Sequence, residues 1–204
     1  MLLSTAYFPP VSWFALLARD MTLSPDRVSP STVFLEACEN YQKQSYRNRC
    51  YILAGDGPQM LQVPVCHSDE MGISSMLVDY STPWVEKAER CIETAYRSSA
   101  YFEYYRDELF VILDAHPATL WELDMRIIRF FLDRIGLRTE LEPTTEFAAE
   151  HVHIHPKRPN AILQENGLDR PYYQVFADRH GFVPNLSVMD LLFNEGPASI
   201  DYLL

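Results

Sequence analysis

The sequence is poor in the residues that build common phosphate-binding and metal-binding motifs. Only 7 of its 204 residues are glycine, and it contains no P-loop, G-x-G-x-x-G, nucleophile-elbow or H-E-x-x-H motif. Its four cysteines, Cys38, Cys50, Cys66 and Cys91, form no C-x-x-C pair. We therefore interpret them as free thiols packed in the core of a protein from a reducing compartment.

Positive charge is also scarce. Lysine and arginine number 17 against 28 aspartates and glutamates, which gives a formal net charge of −11. A chain this acidic repels phosphate backbones and anionic membrane surfaces at long range, so we do not expect it to bind nucleic acid. A local basic patch could still hold one small anion.

Long hydrophobic runs are absent as well. No stretch approaches the roughly 18–20 apolar residues of a membrane-spanning helix, and Pro9 and Pro10 would interrupt a signal peptide. We predict a cytoplasmic protein without membrane insertion. The composition is 48% hydrophobic and 22% charged, as in soluble globular proteins. The length favours one compact domain over residues 1–204.

Apolar patterning predicts both strands and helices. Two apolar runs flank the turn signal at residues 55–58, which predicts an antiparallel hairpin. Helical periodicity begins after Thr82 as N-cap, after Ser99 and at Pro117, and Gly136 is placed to end the third helix. Two short helices are predicted near residues 172–179 and 188–193. This order favours an α/β or α+β fold, a mixed, largely antiparallel sheet with about five helices packed on it.

A basic segment stands out in this acidic chain. Residues 41–49 contain three cations within nine residues, together with amides and two tyrosines. Arginine presents a planar fork that matches phosphate or carboxylate, and lysine adds a point charge. If the segment is extended, one cationic face is formed by Lys43, Ser45, Arg47 and Arg49. The alternative is a solvated edge strand that carries charges against aggregation.

A second candidate lies at residues 150–159, where three histidines alternate with other residues. On a strand, His151, His153 and His155 would face one way, as a metal site requires. No cysteine or acidic residue has a recognisable ligand spacing with them, so we predict an exposed polar face and no metal. The neighbouring Lys157 and Arg158 could extend an anion site.

The C-terminal region reads as helix, turn and helix. Ser187 and Asp190 have the spacing of an N-cap and its reciprocal carboxylate, which approximates a capping box. His180 precedes a glycine, as a helix-end dipole partner does. An imidazole also titrates near neutral pH, so this residue is a candidate base.

A set of motifs is spread over nearly the whole chain, at residues 6–14, 41–49, 95–96, 101–105, 154–159, 173–176, 184–187, 190–194 and 196–197. Together these motifs resemble those of the WbqC-like proteins, bacterial proteins often associated with O-antigen and other surface-polysaccharide loci. In other branches of that family a Gln-Pro pair stands where this chain has Ser4-Thr5, and a tryptophan where it has Pro10. The resemblance implies a cytoplasmic step in sugar-nucleotide modification, such as acyl or aminoacyl transfer to an amino sugar.

These features support a first hypothesis, a small transferase without a cofactor that acts on a nucleotide-linked sugar. His180 or His155 would be the general base. Aromatic rings such as Tyr7 or Tyr46 would stack on a base or sugar. The full set of predicted substrate contacts is Tyr7, Lys43, Tyr46, Arg47, Asn48, Arg49, Lys157, Arg158, Tyr173 and Asn185.

Two alternatives remain open. In the first alternative, the chain is a non-catalytic binding or assembly protein of a polysaccharide or export locus, and its aromatic patches form the surface that contacts a partner. A weaker alternative is a metal-dependent hydrolase built on the three histidines of residues 150–159.

Overall fold

The computed structural model describes residues 1–23, 31–66, 72–148 and 170–204. Its strands are β1 (Leu2–Leu3), β2 (Ser31–Leu35), β3 (Arg49–Ala54), β4 (Gly57–Gln62) and β5 (Thr139–Pro143). Its α-helices are α1 (Val11–Leu23), α2 (Trp84–Tyr96), α3 (Phe102–Asp114), α4 (Leu120–Ile135), α5 (Ala177–His180), α6 (Val188–Glu195) and α7 (Ser199–Leu203). Short 3-10 helices occupy Ile73–Ser75 and Gly196–Ala198.

The strands form two separate sheets. β1, β2 and β5 make a three-stranded parallel sheet in the order β1-β2-β5, and β3 pairs with β4 as an antiparallel hairpin. The fold is therefore mixed α/β, but the expected largely antiparallel sheet is not confirmed. Short apolar runs do not encode the direction of their partner. The crossovers through the intervening helices set that direction here.

The predicted hairpin is confirmed. Gly55 and Asp56 form its turn, and Pro58 lies within β4 opposite Leu53. The strand thus begins two residues earlier than its apolar run suggests.

The three long helical patterns are confirmed as α2, α3 and α4. Thr119 begins α4 by accepting the Glu122 N–H at 3.1 Å, and Gly136 ends it at φ 84°, the left-handed conformation expected there. The expected cap at Thr82 is wrong, because Pro83 takes the N-cap position of α2 and makes no side-chain cap.

Helix α4 lies at the centre of the hydrophobic core. Phe131 is fully buried, and its ring centroid lies 6.1 Å from those of Phe8 and Phe14. Burying a phenylalanine side chain contributes roughly 1.5–3 kcal/mol. These contacts hold the N-terminal segment and α1 against α4. In the described part of the chain, no helix is both long and apolar enough to cross a membrane.

The capping box at α6 is only half formed. The Ser187 hydroxyl accepts the Met189 N–H at 3.3 Å, as predicted for the N-cap. The Asp190 carboxylate instead turns into the core, where it accepts the Tyr172 hydroxyl at 2.6 Å and the Gln174 amide at 2.9 Å. Asp190 is therefore a buried hydrogen-bond acceptor, and its expected capping role is wrong.

Candidate functional site

The basic segment is not an extended strand. Residues 43–48 form turns and bends, and β3 begins only at Arg49. Such a chain does not alternate its side chains between two faces, so the predicted cationic face is wrong. The residues assigned to that face were Lys43, Ser45, Arg47 and Arg49.

Arg47 is buried in an ion pair. Its Nε donates to Glu39 Oε1 at 2.7 Å, its Nη2 contacts Glu39 Oε2, and Nη2 also donates to the Ser4 hydroxyl at 3.1 Å. Arg47 is 3% exposed and Glu39 is 2% exposed. A charge this deep requires a partner, and the carboxylate neutralises it. This guanidinium therefore anchors the segment to the N-terminal part of the fold.

Two further anchors hold the segment in place. The Tyr7 N–H donates to the Tyr46 carbonyl at 2.8 Å. Asn48 pairs with Val63 twice, since its side-chain Nδ2 donates to the Val63 carbonyl and its own carbonyl accepts the Val63 N–H, both at 2.9 Å. The segment is thus fixed to the N-terminus and to the chain after β4.

A cavity of about 510 Å³ lies beside the segment, where the chain after β4 leaves β3. Val65 forms an isolated bridge with Val78, and the Cys66 N–H donates to the Leu77 carbonyl at 2.9 Å. This change of partner separates the chain after β4 from β3 and opens the space between them. The lining residues are Tyr41, Lys43, Gln44, Asn48, Arg49, Gln62, Pro64, Val65, Cys66 and Met76.

The cavity wall carries two cations and, among its described lining residues, no carboxylate. Lys43 is exposed, while Arg49 is half-buried and its Nε has no hydrogen-bond partner in the described ranges. Burial raises the pKa of the Tyr41 phenol, and the Arg49 guanidinium opposes that rise. The phenol therefore stays protonated at neutral pH as a hydrogen-bond donor. Concave walls with one sign of charge concentrate ligands of the opposite sign, so the cavity suits an anion.

Two other predicted residues, Tyr46 and Asn185, line a second and smaller cavity of about 200 Å³. It lies between the hairpin and residues 183–186. Asn185 Oδ1 accepts the Ser12 N–H at 2.9 Å, so its amide caps the first turn of α1. The predicted contacts are thus divided between two cavities.

Tyr7 and Tyr173 line neither of these cavities. Tyr7 is 0% exposed, and its ring packs edge-on against Phe8 with centroids 4.6 Å apart. Tyr173 is 63% exposed, and its N–H donates to Glu195 at 3.0 Å. The structure gives Tyr7 a core position, where its ring is not open to stacking by a ligand.

His180 lies at the turn of the hairpin. Its Nε2 lies 3.1 Å from the carbonyl of Gly55, which follows the last residue of β3, whereas Arg49 is the first residue of that strand. The length of β3 separates these two ends by roughly 17 Å at about 3.4 Å per residue. The structure therefore does not bring this candidate base to the basic end of the hairpin.

The remaining predicted residues lie outside the described ranges. They are His151, His153, His155, Lys157 and Arg158. Within residues 1–23, 31–66, 72–148 and 170–204, no group of three or more histidine, cysteine or acidic side chains is arranged to hold a metal.

Several lining residues were not predicted as contacts from the sequence. Tyr41 and Gln44 belong to the basic segment, but their approach to the cavity depends on its turns. The position of Gln62 on the wall could have been inferred from the hairpin register, because Gln62 pairs with Arg49 across the two strands. Met76 carries no local signal, since only the tertiary fold brings it to the wall.

The described residues form a mixed α/β fold, and the described wall of its cavity carries two cations and no carboxylate. The chain belongs to the WbqC-like protein family, whose model matches residues 6–170. The uncharacterized protein Rv1507c of Mycobacterium tuberculosis is 26% identical over 196 aligned positions, covering 80% of this chain and 83% of that protein. No solved structure matches the chain.

Proposed function

We propose that the protein binds a nucleotide-linked sugar in the cavity beside Lys43 and Arg49, and acts on it as a small transferase of surface-polysaccharide biosynthesis. One observation carries the binding proposal: a chain of net charge −11 lines this cavity with two cations and with no acidic residue among the described ones. Such a wall repels a cationic ligand and attracts a neutral one less than an anion.

The two cations suit the phosphates of such a ligand. Arg49 offers a planar fork of N–H donors, and Lys43 adds a mobile point charge. A hydrogen bond to a charged group contributes roughly 1.5–3 kcal/mol. Two or three such bonds supply about 3–9 kcal/mol, against the roughly 8 kcal/mol of a micromolar complex.

The rest of the wall suits the uncharged parts of the ligand. The amides of Gln44, Asn48 and Gln62 supply side-chain donors and acceptors for hydroxyl groups. Part of the wall is apolar, with Val65 and Met76 available to a base or an acyl group. A volume of about 510 Å³ lies within the usual range of roughly 300–1,000 Å³ for small-molecule sites.

The proposed transferase step is supported by the family resemblance alone, which implies transfer of an acyl or aminoacyl group to an amino sugar. The protic side chains on the wall are the Tyr41 phenol, the Lys43 amine and the Cys66 thiol, besides the amides and Arg49. His180 and His155 stay predictions as general bases.

A second function is favoured by one feature of the same wall. None of its described residues is a histidine, aspartate or glutamate, the side chains that most often perform acid–base catalysis. A binding or assembly protein of a polysaccharide or export locus needs the cations and amides but no base.

Calorimetry with wild-type protein tests the binding step. The ligands are UDP-N-acetylglucosamine, UDP, N-acetylglucosamine 1-phosphate, pyrophosphate and uncharged N-acetylglucosamine. We expect micromolar binding of the phosphorylated ligands and none of the uncharged sugar. Arg49→Gln should weaken binding roughly 10- to 150-fold, the equivalent of one hydrogen bond to a charged group.

Arg129→Gln is the matched control, because it removes the same charge from an exposed position on α4. If folded wild-type protein binds none of the phosphates, or if the two variants lose affinity equally, the cavity is not the site.

Turnover separates the two functions. Purified protein is incubated with the best-binding nucleotide sugar and a panel of acyl donors, and products are followed by mass spectrometry. A new acylated sugar supports the transferase. Binding without product, together with a stoichiometric protein partner in native mass spectrometry, supports the binding protein.

A further inference from the structure

Gln44 adopts a backbone conformation that its residue type rarely takes. Its φ is 59°, in the left-handed region, where a side chain crowds the backbone and glycine or asparagine is usual. The conformation belongs to a turn that the Ser45 hydroxyl closes by donating to the Gln42 carbonyl at 2.6 Å. Glycine would satisfy this turn without strain.

Nothing within the described fold uses the Gln44 amide. The side chain is exposed, lines the 510 Å³ cavity and makes no hydrogen bond to another described residue. The strained backbone at Gln44 is therefore not offset by any hydrogen bond from its side chain to a described residue. What the side chain does contribute is an uncharged donor and acceptor at the cavity wall.

The position of this amide relative to the cations indicates what it meets. Gln44 follows Lys43 directly in the chain, and both residues line the same cavity as Arg49. A ligand whose anionic group is held by the two cations therefore places its adjoining, uncharged part within this wall. A primary amide offers both a donor and an acceptor, and a hydroxyl or an N-acyl group can use both of them. An ionised phosphate has only acceptor oxygens, so it can use the amide N–H but not the amide oxygen.

We infer that Gln44 is a specificity-determining residue that distinguishes a sugar phosphate from a simple phosphate by bonding the sugar's hydroxyl or N-acyl group. This inference rests on the proposed function, since it takes the cavity as the ligand site.

The test compares two probes on three variants by calorimetry. The probes are pyrophosphate, which carries the charge alone, and N-acetylglucosamine 1-phosphate, which adds the sugar. Gln44→Ala removes the amide and keeps the strained backbone. Gln44→Gly removes the amide and relieves the strain. Gln42→Ala is the matched control, because it deletes the same group from an exposed neighbour that does not line the cavity.

We expect both Gln44 variants to bind the sugar phosphate roughly 3- to 10-fold more weakly, as the loss of one neutral hydrogen bond predicts, and pyrophosphate within twofold of wild type. Gln42→Ala should match wild type for both probes. The Gln44→Gly protein should melt about 2–4 °C above Gln44→Ala, because glycine accepts the left-handed turn. The same selective loss in both variants then assigns the effect to the amide.

Other results overturn the inference. An equal loss for both probes means that Gln44 only shapes the loop around Lys43, and no loss for either means that its amide contacts no ligand. In both cases wild-type binding still stands, so the proposed function survives. If wild-type protein binds neither probe, this inference fails. If it also binds neither UDP-N-acetylglucosamine nor UDP, the proposed function fails as well.

Discussion

The Tyr172 hydroxyl donates a hydrogen bond of 2.6 Å to the Asp190 carboxylate, and both residues are buried. The Gln174 amide donates to the same carboxylate oxygen at 2.9 Å and also donates to the Val183 carbonyl at 2.9 Å. One acidic side chain on α6 thus holds the segment before α5 and the loop after it against the core.

This arrangement makes stability depend on pH. Burial raises the pKa of Asp190 to about 6, and the hydrogen bonds from Tyr172 and Gln174 only partly oppose that rise. In the unfolded chain an aspartate titrates near 3.9, so between roughly pH 4 and 6 the folded state holds the proton more tightly. The carboxyl's contribution to the free energy of unfolding therefore falls as pH rises through this window, by about 2 kcal/mol.

Urea unfolding of wild type and Asp190→Asn at pH 4, 5, 6 and 7.5 checks this. The difference in stability, wild type minus variant, should be largest at pH 4 and smaller by about 2 kcal/mol at pH 7.5. A difference that stays constant across this range would show that Asp190 titrates normally.

The buried Arg47–Glu39 pair gives a second prediction. Arg47→Met leaves the Glu39 carboxylate buried without its cation, which should cost about 3–5 kcal/mol. Removing both charges, as Arg47→Met with Glu39→Gln, should recover much of that loss because no isolated charge remains. Chemical denaturation of the single and double variants completes the cycle, and additive losses would contradict the coupling.

The two cavity cations should differ in strength and in salt dependence. Lys43 is exposed and Arg49 is half-buried, so water and salt screen the lysine more. We expect Lys43→Gln to weaken pyrophosphate binding about 2- to 5-fold at low salt, against at least tenfold for Arg49→Gln. Raising the salt concentration from 50 to 300 mM in these titrations should nearly abolish the effect of Lys43→Gln on affinity and retain most of the effect of Arg49→Gln. A larger effect at Lys43 would reverse their assigned roles.

The cysteines report occupancy of the cavity without an activity assay. Cys38 is exposed, Cys66 is half-buried on the cavity wall, and Cys50 is buried, with burial raising the pKa of its thiol. Because the thiolate is the reactive form, a disulfide reagent should modify Cys38 first, Cys66 more slowly and Cys50 only after unfolding.

Pyrophosphate should slow the modification of Cys66 and leave Cys38 unchanged, with peptide mass spectrometry assigning each site. Cys91 is also a half-buried free thiol, so a variant with both Cys38→Ser and Cys91→Ser isolates the Cys66 rate. Equal protection of both thiols would place the ligand elsewhere or indicate a general change in stability.

The long helices and the hairpin were predictable because their signals are local. Helix α4 has an apolar stripe with a threonine at its start and a glycine after its end, and the hairpin has two apolar runs around a glycine-rich turn. The direction of the parallel sheet was not predictable, because its strands are five residues or shorter and their partners lie far away in the chain.

The candidate site likewise contains residues whose position the local sequence predicted and residues whose position only the tertiary fold decided. Three predicted contacts, Lys43, Asn48 and Arg49, do line one cavity. Arg47, in the same segment, does not, because its position on a turn directs it towards Glu39. An alternating pattern applies only to extended backbone, and the sequence carried no clear sign that this segment is built of turns.

By itself the sequence determined the acidic balance, the concentration of cations at residues 41–49, the major helices and the family, because each depends on residue types or short-range spacing. The tertiary structure alone decided which of those cations is neutralised, which face a cavity, and that Asp190 lies inside the core. Burial and ion pairing depend on residues distant in the chain, and no local pattern records which of them will meet.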